Sequence, residues 1–213
     1  MKNLYLVEHP LIRHKLSRLR DRECSMPEFR RLIFDIGTLM AYEVTQKLET
    51  VPTEIQTPIA PAICEELKSV PVLVTILRAG IGMLDPFMQL LPESPVGFLG
   101  MQRNEETLEP EEYYCKLPVE ARSAPVILVD PMLATGGSCL DAVEQLAARG
   151  IHKVTFVCLV AAPEGVKRLN ERYPELRIYT AALDDRLNEK GFIVPGLGDA
   201  GDRIFGTEGE VIR

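Results

Sequence analysis

Val126-Ile127-Leu128-Val129-Asp130-Pro131-Met132-Leu133-Ala134-Thr135-Gly136-Gly137-Ser138 reads as an apolar strand that ends in an acid and runs into a turn able to open a helix. Leu140, Val143 and Ala147 follow at steps of three or four, so the segment after the turn has one apolar helical face. Glycines at 136 and 137 let backbone N–H groups converge on an anion with no side chain in the way. Thr135 and Ser138 add hydroxyl donors, and a helix N-terminus adds positive potential. That is the chemistry of a phosphate cradle. Asp130 repels phosphate, so its place a few residues upstream suits a ligand that offers hydroxyl donors beside its phosphate, as a ribose phosphate does. An ordinary βα turn capped by Ser or Thr looks the same, and the stretch alone leaves both readings open.

Working outward, Val72 to Leu77, Val154 to Val160 and Arg177 to Ala181 are further short aliphatic runs, separated by helix-like segments and turn residues. Continuous Val/Ile/Leu runs, rather than strict alternation, mark strands of a parallel sheet buried on both faces. Upstream, Phe29, Ile33, Ile36, Met40, Val44 and Leu48 share one helical face, and Pro27 suits the first turn of that helix. Gly100 to Pro118 has neither periodicity and is too long for a simple connector, so a lid or hairpin is expected there. The expectation is a single α/β domain over residues 1–213, with N-terminal helices over 10–50 and a C-terminal hood over 184–213 packed on its core.

With 46% hydrophobic and 26% charged residues the chain has the composition of a folded globular domain. Acidic residues outnumber basic ones by 31 to 24, for a net charge of −7. Bulk binding to nucleic acid or an anionic membrane is therefore disfavoured, while a local pocket for a small phosphorylated ligand is allowed. The longest apolar stretches fall far short of the roughly 18 residues that span a bilayer. Five scattered cysteines without a Cys-x-x-Cys pair suggest reduced thiols and a cytoplasmic location. His9, His14 and His152 form no His-Glu-x-x-His pattern, and no Gly-Lys-Ser/Thr phosphate loop occurs. Asp184, Asp185 and Asp202 read as surface or loop-capping acids. Gly196-Leu-Gly198-Asp-Ala-Gly201 satisfies the dinucleotide fingerprint formally, but only twelve residues follow it, too few for the next strand and its acid.

The run Asp130 to Ser138 resembles the phosphoribosyl-pyrophosphate loop of uracil phosphoribosyltransferases. Ile76-Leu-Arg78-Ala-Gly80, Gly100 to Pro110, Leu159 to Gly165 and Gly191 to Asp202 resemble other blocks of that family, in its order and spacing. The resemblance implies a type I phosphoribosyltransferase-like fold, a central parallel sheet flanked by helices with a small hood and a flexible lid. It implies that Arg78, Arg103, Asp130, Pro131, Met132, Leu133, Ala134, Thr135, Gly136, Gly137, Ser138 and Asp199 bind phosphoribosyl pyrophosphate. Ile193, Gly198, Asp199 and Ala200 would bind uracil, with Asp130, Arg103 and Asp199 the catalytic candidates. It further implies UMP and pyrophosphate as products and magnesium carried by the substrate rather than held by the protein. GTP as an activator, a homo-oligomer and no nucleic-acid partner complete the expectation. An RNA-binding regulator on the same fold and an enzyme for another base are the rivals. Orotate would need a cation for its carboxylate, and no Lys or Arg stands between Gly191 and Gly201.

Overall fold

A strand covered on both faces has to be apolar at every position, and the runs near 72, 126 and 154 meet that demand. In the computed structural model of the chain, which describes residues 3–103 and 110–207, they form the centre of one sheet. The side chains of residues 102, 103 and 110–112 lie outside the described part. Along the chain the elements are β1 (Leu4–Leu6), α1 (Pro10–Arg20), α2 (Met26–Thr45), β2 (Thr50–Gln56), β3 (Pro61–Leu67) and β4 (Val72–Leu77). There follow α3 (Ile81–Leu90), β5 (Val96–Arg103), β6 (Pro110–Lys116), β7 (Val126–Val129), β8 (Met132–Leu133) and α4 (Gly137–Ala148). The last are β9 (Val154–Ala161), α5 (Pro163–Arg172), β10 (Arg177–Leu183), β11 (Arg186–Leu187), β12 (Ile193–Val194) and α6 (Ala200–Phe205).

The sheet runs in the order β1-β10-β9-β7-β4-β5-β6, with β8 also on β9. All its pairs are parallel except β5 with β6. Successive residues feed two cores. Val72, Val74, Ile76, Leu128 and Phe156 pack with Ala142, Leu146, Val166 and Leu169 of α4 and α5. Leu73, Ile127, Val129 and Val157 pack with Leu16, Ile33, Met40 and Met83 of α1, α2 and α3. This is the expected α/β architecture. From β4 the chain moves outward to β5, whereas from β7 it moves the other way to β9. The order therefore reverses between β4 and β7, and in such sheets the crevice for a ligand opens at the carboxyl ends of those two strands.

Some local expectations shift. The first long helix starts at Met26 with Pro27 in its opening turn, but ends at Thr45, so Leu48 lies beyond it. In the stretch 100–118 the end of β5 pairs antiparallel with β6, with a register shift between Gly100 and Met101, while residues 104–109, where the lid is expected, lie outside the described residues. Two elements carry no sequence signal of their own. Strand β1 is three residues long and pairs with β10 at the sheet edge, and β2 and β3 form a separate hairpin exposed along most of both strands.

The turn after β4 is packed to the limit. A Cβ on Gly80 would stand 2.3 Å from the Thr75 hydroxyl oxygen, 2.5 Å from the Ile76 carbonyl and 2.8 Å from the Val129 carbonyl. Two of those are backbone atoms of the central strands and cannot yield cheaply. Gly80→Ala is expected to destabilise by about 1–3 kcal/mol or more, lowering the thermal midpoint by several degrees. An unchanged midpoint would show that this turn has slack.

Candidate active site

Two chain segments are built to meet at the β4–β7 crevice. The first starts where β7 stops. The Asp130 amide still donates to the Val157 carbonyl at 3.1 Å, but Pro131 has no N–H and the ladder breaks there. The Pro131 carbonyl instead accepts from Leu159 and Val160 at 3.0 and 3.2 Å, which holds the two-residue β8 on β9. Gly136 then turns the chain at φ +77°, a left-handed value that favours glycine, and α4 begins at Gly137. Gly165, at the start of α5, lies against this turn. A Cβ there would stand 2.4 Å from the Ala134 carbonyl, so only glycine lets α5 approach so closely.

The first turn of α4 has the free donors a phosphate needs. Leu140 N donates to Gly136 O at 2.9 Å and Gly137 N to the Thr135 hydroxyl oxygen at 3.4 Å. The amides of Ser138 and Cys139 have no partner among the described residues. The second segment is the loop through Ile193 to Ala200, with a cis Val194–Pro195 bond and Gly196 and Gly198 at positive φ. Asp199 caps α6 by accepting from Asp202 N at 2.9 Å.

Both segments line one cavity of about 290 Å³. Of the residues singled out in the sequence, Asp130, Met132, Leu133, Ala134, Thr135, Gly136, Gly137, Ser138, Ile193, Gly198, Asp199 and Ala200 are in its wall. Pro131 is not, being a buried support. Arg78 is not either: it is exposed after β4, joined to Leu77 by a cis peptide, and the wall there is Ala79. The Arg78 guanidinium has no partner among the described residues. Arg103 ends β5, and its side chain falls outside the described residues. The wall also includes Ala79, Cys139, Gly191, Phe192 and Gly201. Cys139 follows Ser138 in the first helical turn, Gly191 and Phe192 precede Ile193, Gly201 follows Ala200 and Ala79 follows Arg78, so chain adjacency could have found them.

Burial, and then the nearby Asp199 carboxylate, push the Asp130 carboxyl up to about 8. The Cys139 thiol is driven well above its ordinary value by burial and by Asp130, so it stays neutral. Asp184, read from sequence as a surface or loop-capping acid, is not on the surface, though its Oδ2 does cap the loop by accepting from Gly196 N at 2.8 Å. It is 8% exposed and paired with Arg20 through two hydrogen bonds of 2.6 and 2.7 Å.

The chain matches the family model described as Uracil phosphoribosyltransferase over residues 6–207. It is 53% identical over 209 residues to a protein of Levilactobacillus brevis named uracil phosphoribosyltransferase, covering 98% of this chain and all of that one. Among solved structures, the AQ2163 protein of Aquifex aeolicus is 40% identical with a TM-score of 0.89, covering 95% of this chain and 97% of that one. The adenine phosphoribosyltransferase of Trypanosoma brucei, 14% identical, covers 93% of this chain and 89% of its own at a TM-score of 0.60, a likeness of fold. A sheet that reverses direction at a glycine-rich strand-to-helix turn, with this breadth of identity, places the chain in the uracil phosphoribosyltransferase family.

Proposed function

We propose that the chain transfers the phosphoribosyl group of phosphoribosyl pyrophosphate to N1 of uracil, giving UMP and pyrophosphate, in the cavity between residues 135–138 and 198–200. The supporting observation is that an anion-accepting turn, a strand-end carboxylate and a loop of small residues line a single cavity. The free amides of Ser138 and Cys139, with the Thr135 and Ser138 hydroxyls, suit the 5-phosphate. Asp130 suits the ribose hydroxyls. Ile193 and the backbone of Gly198 to Ala200 suit a flat pyrimidine edge, because N–H and C=O groups can read it where side chains are small and are left unpaired by a mismatched base.

In the reaction the bond from uracil N1 to the anomeric carbon forms as the bond to pyrophosphate breaks, and the N1 proton departs. Asp199 is our candidate to receive that proton, with Oδ1 engaged as the α6 cap and Oδ2 left for substrate. Arg78 and Arg103 supply forked donors to the pyrophosphate, whose charge rises as it leaves. Magnesium would come in on the pyrophosphate oxygens and their waters rather than be held by the protein. When bound, that ion neutralises leaving-group charge. Activation by GTP and assembly into a homo-oligomer belong to the same proposal on the family resemblance alone.

Proton traffic provides one prediction. In the free protein Asp130 holds its proton below about pH 8, whereas ribose hydroxyls donate to the carboxylate form. Binding should therefore expel a proton, and affinity should rise with pH until about 8 and then level off. Calorimetry at pH 7 in buffers of differing ionisation enthalpy should show nearly one more proton released by the wild type than by Asp130→Asn. Equal release by the two would contradict the assignment.

The activity itself is tested by following nucleotide formation from phosphoribosyl pyrophosphate and uracil, cytosine, orotate or hypoxanthine, with and without GTP. UMP as the dominant product supports the proposal. Comparable turnover of another base, or no UMP at all, would defeat it.

A further inference from the structure

Residues 184–203 carry the base loop, whose backbone is held by Asp184 and Arg203 of that segment and by Arg20 from the other end of the chain. The Asp184 side chain is 4% exposed, and a carboxylate in such a place must be fully partnered. Arg20, at the C-terminus of α1, donates Nη2 to Oδ1 at 2.6 Å and Nη1 to Oδ2 at 2.7 Å, a forked pair. The same Arg20 Nη1 donates to the Gly196 carbonyl at 2.7 Å, while Gly196 N donates to Asp184 Oδ2 at 2.8 Å. Both backbone groups of Gly196 are thus engaged by one ion pair. Gly196 needs such holding: φ is +64°, and a Cβ would stand 2.2 Å from the Ile193 carbonyl.

Arg203 repeats the arrangement one residue along. Its Nη1 donates to Leu197 O at 2.8 Å and Leu19 O at 2.9 Å, and Nη2 donates to the Asp21 carbonyl. The guanidinium lies 4.3 Å from the centre of the Phe29 ring. Leu19 lies in the last turn of α1, whose carbonyls a helix leaves without partners and which carry partial negative charge, and Asp21 is the residue that caps it, its carbonyl also accepting from Cys24 N at 3.1 Å. Two guanidinium groups therefore bind the end of α1 to the carbonyls of 196 and 197, between Ile193 and Gly198 to Ala200.

We infer that Arg20, Asp184 and Arg203 are positioning residues for base recognition: without lining the cavity, they fix the backbone that reads the uracil edge. The inference rests on 193–200 being the base site. A backbone reader discriminates only while its N–H and C=O groups stay in register with the base, so loosening the clamp should act on uracil and leave phosphoribosyl pyrophosphate alone.

Two variants keep the fold testable. Arg203→Lys retains the charge but loses the fork. The paired exchange Arg20→Gln with Asp184→Asn removes both charges together, avoiding a buried charge without its partner. For each, steady-state kinetics should show KM for uracil raised about tenfold or more, with KM for phosphoribosyl pyrophosphate within about twofold. Preference for uracil over cytosine should fall in parallel, which a general loss of stability would not cause. Unchanged uracil KM, or an equal loss in both substrates, would overturn the inference. Ala200→Leu, which fills the cavity wall directly, separates the two layers. If it raises uracil KM and the clamp variants do not, the clamp is wrong and the base site stands. If it too leaves uracil KM unmoved, the base-site reading fails and the clamp falls with it.

Discussion

Valine at position 137 is expected to weaken binding of phosphoribosyl pyrophosphate by at least about a hundredfold in a protein that still folds. A Cβ on Gly137 meets only Thr135 Oγ1 at 3.6 Å and an Arg168 guanidinium nitrogen at 3.9 Å, both ordinary contacts. Its neighbour is unsuitable for the test, since Gly136 sits at φ +77° and its Cβ would approach the Gly165 carbonyl to 3.1 Å. At 137 the added side chain instead competes with a ligand for the amides of Ser138 and Cys139. Each hydrogen bond to a charged group contributes about 1.5–3 kcal/mol, so losing two costs about 3–6 kcal/mol, a hundredfold or more in affinity. Calorimetry gives the answer directly. Unaltered affinity in a folded Gly137→Val protein would put the phosphate elsewhere.

Asp130→Asn keeps the shape of the side chain and removes its charge. If the carboxylate accepts a ribose hydroxyl through the transition state, kcat/KM should drop about 10- to 150-fold per bond, from about 1.5–3 kcal/mol each. Stability should move the other way. The folded Asp130 carboxyl is raised to about 8, against about 4 in an unfolded chain. The folded state thus binds the extra proton across that window, and the wild type loses stability as pH climbs from about 4 to about 8. Asparagine cannot titrate. The melting-temperature gap in favour of the variant should widen across that range and stay level above it. A constant gap from pH 4 to 9 would mean that the carboxylate is already ionised, and full activity in the variant would mean that it does not hold the ribose.

The residues that were easy to interpret in the sequence are those whose burial is two-sided. Val72 to Leu77 and Val126 to Val129 coincide with β4 and β7, because a strand feeding two cores cannot hide its character. The strand-to-helix turn at Gly136 and Gly137 was equally legible as a turn, whereas local chemistry alone left its ligand open. What stayed hidden depends on distance along the chain. Asp184 and Arg20 are 164 residues apart. A lone aspartate after a strand looks like a surface acid until its partner is placed beside it. The β2–β3 hairpin failed for the opposite reason: with most positions on both faces exposed, it has no apolar period to detect. That Ala79 rather than its neighbour Arg78 lines the cavity follows from how β4 ends next to β7, a fact of topology that no local pattern encodes.

A crystal structure of the chain with UMP bound would show each of these assignments at once. The phosphate should lie on the amides of Ser138 and Cys139, the ribose hydroxyls on Asp130, and the pyrimidine edge against Ile193 and the backbone of Gly198 to Ala200. A phosphate bound away from residues 135–139, or a base turned out of the 193–200 loop, would contradict the account.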